Sequence, residues 1–294
     1  MNPREISALA ARSGLDHIWR KVEASDRLSR DDVTDLLSSD DLLALGAMAD
    51  FARERNAGDE VYFISNRHIN HTNVCRNRCL FCAFSHDEGD AEAYTLSVDE
   101  VVEKARETLA VGGISEIHIV GGEHPDLPFE YYLDMMRALH TLAPDVHIQA
   151  FTASEISHFA RISKQSVPEV LRQLKDAGLG SLPGGGAEVF SGRVRELICE
   201  RKISGQTWLD VHRAAHEAGM PSNATMLYGH VEEPQELADH MVHLRELQDD
   251  TGGFNAFIPL SFQPANTGLS ELPGPTGFDD LKMLAVGRLA QDNF

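Results

Sequence analysis

SEIHIVGGEHPDLPFEYYLDMMRALHTLAPDVHIQAFT (115–152) contains the unit that decides the fold. Its two ends, SEIHIVGG (115–122) and VHIQAFT (146–152), are short strand-like apolar runs. Between them, FEYYLDMMRALHTL (129–142) carries apolar residues at helical spacing. A strand, a helix and a strand of these lengths predict parallel pairing through a right-handed crossover. The same alternation runs outward in both directions. EVYFISNRHIN (60–70) is followed by VDEVVEKARETLAV (98–111); PEVLRQLKDAGL (168–179) leads into GSLPGG (180–185) and a segment containing TWLDVHRAAHEAG (207–219). SNATMLYG (222–229), PQELADHMVHLRELQ (234–248), FNAFIPLSF (254–262) and FDDLKMLAVGRLAQDN (278–293) complete six strand–helix units. Distinctive residues follow nearly every strand: the cysteines, GGEHPD, Ser154-Glu155, GGGAE, GHVE and QPAN. A barrel gathers a site from many strand ends, whereas an open sheet concentrates it at one switch point. The expected fold is therefore α/β, a partial (β/α)6 TIM-type barrel over 60–294. Six units leave the ring open, and the chain is expected to stop before the last strands of a full barrel.

Residues 1–59 read as a helical extension ahead of the barrel. Ser29 before RDDVTDLL and Ser38-Ser39 before DDLLALGAMADFARER look like N-caps with acidic first turns, and Gly58-Asp59 ends the region. Acidic residues outnumber basic ones 46 to 26, a net charge of −20, which argues against a nucleic-acid partner and against an anionic membrane surface. No apolar run approaches the ~18 residues of a membrane span, and the first residues lack a signal-peptide core, so the expected location is the cytoplasm.

Three of the four cysteines, Cys75, Cys79 and Cys82, fall within eight residues in the long irregular stretch 73–96; Cys199 stands alone and reads as a spectator. Three thiols in one short polar loop cannot all pair with one another. A zinc site completed by His86, three inert core cysteines, and an iron–sulfur centre with one open position are the competing readings.

The spacing Cys-x-x-x-Cys-x-Phe-Cys, with Phe81 as its aromatic residue, resembles the motif of the radical S-adenosylmethionine enzymes. Gly121-Gly122-Glu123 follows the second strand where that family carries a GGE-like motif. Thr225-x-Leu227-x-Gly229-x-x-Glu232 resembles its G-x-I-x-G-x-x-E near strand five, with Thr in place of the first Gly and Leu in place of Ile. The resemblance implies a 4Fe-4S cluster on Cys75, Cys79 and Cys82, with the fourth iron open to S-adenosylmethionine. It also implies Gly121, Gly122 and Glu123 for the methionine ammonium, and Leu227 and Gly229 for adenine. Gly184-Gly185-Gly186 reads as a close backbone approach to the ligand, with Glu188 as a hydroxyl acceptor.

INHTNVCRNRCLFCAFS, EIHIVGGEHPDLPFEYY, FTASEI, SLPGGGAEVF, TMLYGHVE and TGGFNAFIPLSFQPANT are similar to the branch containing the aminodeoxyfutalosine synthases of menaquinone formation. Dehypoxanthine futalosine cyclases and deazaflavin-forming enzymes are its neighbours, and His71 stands where that group leads one to expect Tyr. This resemblance implies a transferase acting on a small enol-ether benzoate and drawing an electron from a donor such as flavodoxin or ferredoxin. The carboxylates of such a substrate need hydrogen-bonding and basic partners. The candidates are Asn70, His71, Asn73, Arg193, Asn223 and His230, with Arg67 and His68 beside them. A non-catalytic iron–sulfur or zinc protein is the alternative from another class. His212, His216, His240 and His243 lie on predicted helices, and Phe129, Tyr131, Tyr132, Met135 and Met136 read as packing.

Overall fold

Strand β1 (Asn66–Ile69) pairs in parallel with β2 (Glu116–Ile119), which pairs with β3 (His147–Ala150), in a computed structural model that describes residues 1–294. Single bridges from Gln149 to Ser181 and from Leu182 to Ser222 carry the sheet on to β4 (Ser222–Tyr228), which pairs in parallel with β5 (Phe254–Ser261). Six strand positions thus follow one another in chain order, all parallel, as a partial (β/α) barrel requires. The fourth position is only two residues long because Pro183 and three glycines follow Leu182, and proline cannot donate to a ladder. The first is shorter than its apolar run. Pairing starts where Ser65 O accepts from Ser115 N, and Val61, Tyr62, Phe63 and Ile64 are irregular and exposed ahead of it.

Alternation along the strands separates two faces. Ile69, Ile117, Ile119, Ile148, Ala150, Leu182 and Ala224 pack into one core against α5 (Val98–Val111), α6 (Phe129–Leu142), α7 (Ala153–Ser163), α8 (Val167–Asp176) and α10 (Gly205–Glu217). Phe129, Tyr132, Met135 and Met136 belong to this core, as their helical spacing predicted. The opposite, concave face carries polar side chains: His68, His118 and Gln149 lie in register, Gln149 donates to Ser181 Oγ at 3.1 Å, and the His68 and His118 rings stack at 4.4 Å.

Helix α7 is absent from the sequence reading, which took Ser154-Glu155 as strand-end residues. Thr152 caps it, with Glu155 closing a capping box: Thr152 N donates to Glu155 Oε2 at 2.8 Å. A short α9 (Gly192–Cys199) follows the glycine run. The amino-terminal helices are α1 (Pro3–Arg12), α2 (Asp16–Ala24), α3 (Arg30–Ser38) and α4 (Leu42–Ala57). Ser29 caps α3 as expected; α4 is capped by Asp41 rather than by Ser38 or Ser39, which end α3. These helices share a second core with α9, β4, α11 (Pro234–Thr251) and α12 (Gly277–Ala290), where Trp19, Met48, Met226, Met241 and Val286 meet. Each such side chain contributes about 1.5–3 kcal/mol by burial. No helix is long and apolar enough to cross a membrane.

Candidate active site

The two limbs of the cysteine loop are fastened to each other. Thr72 bridges to Thr95, Val74 to His86, and Cys75 N donates to His86 O at 3.1 Å. Asn73 is consumed in this scaffold, its amide donating to Glu92 O and its carbonyl accepting from Tyr94 N at 2.7 Å. The loop also leans on α9, through Leu80 N to Ile198 O at 2.8 Å.

The turn after β2 closes on this loop. Gly122 N donates to Thr72 O at 2.9 Å, and Arg76 N donates to Glu123 O at 3.1 Å. A Cβ on Gly122 would lie 2.1 Å from Val74 O, and one on Gly121 would lie 2.4 Å into the His71 ring. Both positions therefore require glycine for the two loops to touch. His71 is fully buried behind Gly121, among Tyr131, Tyr132 and Phe151, and burial pushes its imidazole down to about 3. The Glu123 carboxylate accepts from Asn77 Nδ2 at 2.6 Å and from Ser154 Oγ, which ties the residue between the first two cysteines to α7. Glu155 accepts from Gly121 N at 3.1 Å, and its burial pushes its carboxyl up to about 7.

Together these segments enclose a cavity of about 190 Å³ lined by Cys75, Cys79, Cys82, Phe81, the Gly121–Glu123 turn and Lys202. All three thiols are half-buried, and burial pushes Cys79 up to about 12. No three His, Cys, Asp or Glu side chains converge on a single-ion position; the thiols ring a wider space instead, and the His86 ring faces Asp90 and Glu92.

Glu188 reaches the cavity through a partner. Its Oε1 lies 2.7 Å from Lys202 Nζ, and it holds a left-handed backbone with φ 48°. The glycines before it are fixed by protein neighbours rather than by open space: a Cβ on Gly184 would strike Asn223 O at 2.6 Å, and one on Gly185 would meet Thr152. Arg195, buried on α9, donates to the carbonyls of Ala187, Gly186 and Ile203 and so braces that loop from below. Neither Lys202 nor Arg195 was singled out as a cavity residue from sequence; Lys202 lies three residues past Cys199 with no motif around it.

The remaining predicted positions separate. Asn223 lies on the concave face, 3.5 Å from Gln149 Oε1, and Asn70 donates to Val120 O at the rim. Arg193 is on the outer surface, paired with Glu236. The His230 ring is buried, facing Leu227 O and Glu232. Leu227 is buried at the end of β4, and Gly229, at φ 89°, packs against Pro275. The strand-end arrangement also gathers His118 and Gln149, which sequence reasoning passed over because they precede the strand ends.

The sequence profile of the Radical SAM superfamily matches residues 69–244, from the end of β1 into α11. The chain belongs to the radical SAM superfamily. Among radical SAM relatives it is 48% identical over 281 residues to the aminodeoxyfutalosine synthase of Thermus thermophilus, covering 94% of this chain and 75% of that one. Against the aminodeoxyfutalosine synthase of Streptomyces coelicolor it is 44% identical, covering 93% and 73%. It is 43% identical to the 5-amino-6-(D-ribitylamino)uracil–L-tyrosine 4-hydroxyphenyl transferase of Methanopyrus kandleri, covering 81% and 65%. Its fold is similar to that of methylornithine synthase, with a TM-score of 0.71 at 18% identity over 93% of this chain and 76% of that one. The FeFe-hydrogenase maturase HydG of Carboxydothermus hydrogenoformans gives 0.73 at 18% identity, over 99% and 69%. Membership implies a 4Fe-4S cluster and S-adenosylmethionine. The cavity fits such a group: three thiols surround it, and the glycine turn beside them presents no side chain at Gly121 or Gly122.

Proposed function

We propose that the protein is a radical transferase of the aminodeoxyfutalosine synthase type. In this reading Cys75, Cys79 and Cys82 ligate three irons of a 4Fe-4S cluster, and S-adenosylmethionine occupies the fourth. When bound, the cluster supplies the single electron that cleaves the C5′–S bond of S-adenosylmethionine to methionine and a 5′-deoxyadenosyl radical. The substrate is 3-((1-carboxyvinyl)oxy)benzoate. The adenosyl carbon would add to its vinyl group, the aryl group would migrate from oxygen to the adjacent carbon, and the carboxylate would leave as carbon dioxide or bicarbonate together with one electron, balancing the electron spent on the C5′–S bond and giving aminodeoxyfutalosine.

The chain's own contribution is placement and exclusion of water. The Gly121–Glu123 turn offers backbone and carboxylate to the methionine ammonium. Phe81 walls the cavity, and the loop that carries Glu188 and the end of β4 at Leu227 and Gly229 are assigned to the nucleoside side of it. On the concave face, Asn70, His118, Gln149 and Asn223 supply hydrogen bonds to the benzoate. Asn73, Arg193 and His230 are hydrogen-bonded elsewhere in the fold, His71 is buried behind Gly121, and none of the four takes part in this assignment.

One observation carries the reading: a cavity ringed by three thiols and closed by the glycine turn, in a chain 48% identical over 94% of its length to an aminodeoxyfutalosine synthase. The test is anaerobic reconstitution with iron and sulfide, then incubation with S-adenosylmethionine, a chemical reductant and the enol-ether benzoate. An adenine-containing adduct of the benzoate is expected by mass spectrometry. Free 5′-deoxyadenosine without adduct contradicts the synthase reading. Transfer of a hydroxyphenyl group from tyrosine to 5-amino-6-(D-ribitylamino)uracil would favour the second reading, which the 43% identity over 81% of the chain supports.

A further inference from the structure

Lys202 is one of six lysines in the chain, and it is the cationic side chain on the wall of the cysteine cavity. Arg76 and Arg78, between the cysteines, are exposed instead, and Arg78 reaches away to Ser85 O and Asp87. The Lys202 ammonium lies 5.6 Å from the centre of the Phe81 ring and 2.7 Å from Glu188 Oε1, with the two side chains 16% and 7% exposed. Of the pair, Lys202 lines the cavity together with the three cysteines and Glu188 does not, so the positive end faces the cysteines.

Burying an ion pair costs desolvation energy that its own attraction offsets only in part. This pair is also held on a strained backbone, since Glu188 has φ 48° without being glycine, and three of its neighbours are fixed by Arg195 and Thr225. Strain and a buried charge at one point of a cavity wall indicate a task for the charge. A 4Fe-4S core of charge +2 on three thiolates carries −1, and −2 after one-electron reduction. A fixed cation facing the thiolates therefore favours the reduced form, and a nearby anion opposes it.

We propose that Lys202 is a positioning charge that sets the reduction potential of the centre held by Cys75, Cys79 and Cys82, with Glu188 as the counter-charge that holds the ammonium toward the thiols and tempers its effect. This rests on the cluster assignment made above. Lys202 ligates nothing; it acts through space on the electron affinity of the site.

The two charges make opposite predictions, which a merely structural role does not. The wild-type protein, Lys202→Met, Lys202→Arg and Glu188→Gln are reconstituted, iron and sulfide are counted, and each is titrated electrochemically while the reduced cluster is followed by electron paramagnetic resonance. For Lys202→Met the ratio of reduced to oxidised cluster at fixed potential falls at least tenfold, a shift of about 59 mV to the negative for one electron. Glu188→Gln moves the ratio the other way, and Lys202→Arg restores it to within threefold of wild type. Should Lys202→Met fail to fold, Glu188→Gln still decides the sign. Iron-loaded Lys202→Met and Glu188→Gln whose ratios both stay within twofold of wild type, or move in the same direction, overturn the role of Lys202 alone. A wild-type protein that takes up no four-iron cluster overturns the cluster assignment itself.

Discussion

Cys79 sits deepest in the electrostatics of the cavity, with its thiol pushed up to about 12 by burial. A cysteine ligates metal as the thiolate, so a cluster bound there displaces the thiol proton. Cys79→Ala should therefore abolish the four-iron absorption and resonance signals while leaving the far-ultraviolet circular dichroism unchanged; a complete four-iron cluster in that variant contradicts its assignment. Arg195 makes a different kind of prediction. Its guanidinium satisfies several carbonyls of the glycine loop, so Arg195→Met strands those acceptors and should cost about 2–4 kcal/mol in urea denaturation. The same variant should weaken S-adenosylmethionine binding, because Glu188 rides on that loop. Undiminished stability would show that the loop holds itself.

Where two elements touch, the glycines do different work at different places. Gly122→Ala would drive a methyl group to 2.1 Å from Val74 O and part the glycine turn from the cysteine loop, so cluster uptake should fall sharply. Gly46→Ala, in the middle of α4 with open space around its Cβ position, should instead stabilise the protein by about 0.5–1 kcal/mol. Equal effects on iron content from both substitutions would contradict the contact. The need for Gly121-Gly122 was visible in the sequence as a motif, but its structural cause, the approach of Val74 and His71, was not. Strand and helix order was legible because periodicities of two and 3.6 residues alternate along the chain. Lengths were less so: the 60–70 run pairs only at 66–69, since pairing depends on a neighbour, and the 180–185 run is cut short by Pro183. Helix α7 escaped because Ser154 and Glu155 resemble strand-end residues until the Thr152 cap is seen. Among site residues, those inside motifs could be named, whereas Lys202, His118 and Gln149 become site residues only through packing.

Across the whole molecule, buried histidines weaken the fold as pH falls below neutrality. His71 and His240 are pushed down to about 3 and His216 to about 4 by burial, and His212 is lowered too. Three of them pin structure by hydrogen bonds, His240 bridging Phe190 N and Thr225 O while His212 and His216 share Ser222 Oγ, whereas the His71 ring nitrogens have no partner. Because their folded values lie below the unfolded value of about 6.5, the unfolded chain binds more protons as pH falls below that point. Stability present above pH ~6.5 is then lost toward pH 4, by about 1.4 kcal/mol per pH unit for each net proton. Glu155, raised to about 7, works in the opposite sense as pH rises from 4.5 to 7, but it is one group against four. Urea midpoints at pH 7 and 5 should show the decline, and His71→Phe should make it shallower; an unchanged slope contradicts a neutral buried His71.

The cavity lined by three thiols carries the central claim, and the most direct probe of it is spectroscopic. The reconstituted protein is reduced anaerobically and its electron paramagnetic resonance spectrum is recorded with and without S-adenosylmethionine. A four-iron signal that changes on addition of the nucleotide, and is missing in Cys79→Ala, is the predicted result. A signal indifferent to the nucleotide, or a single zinc ion in place of iron, would contradict the account.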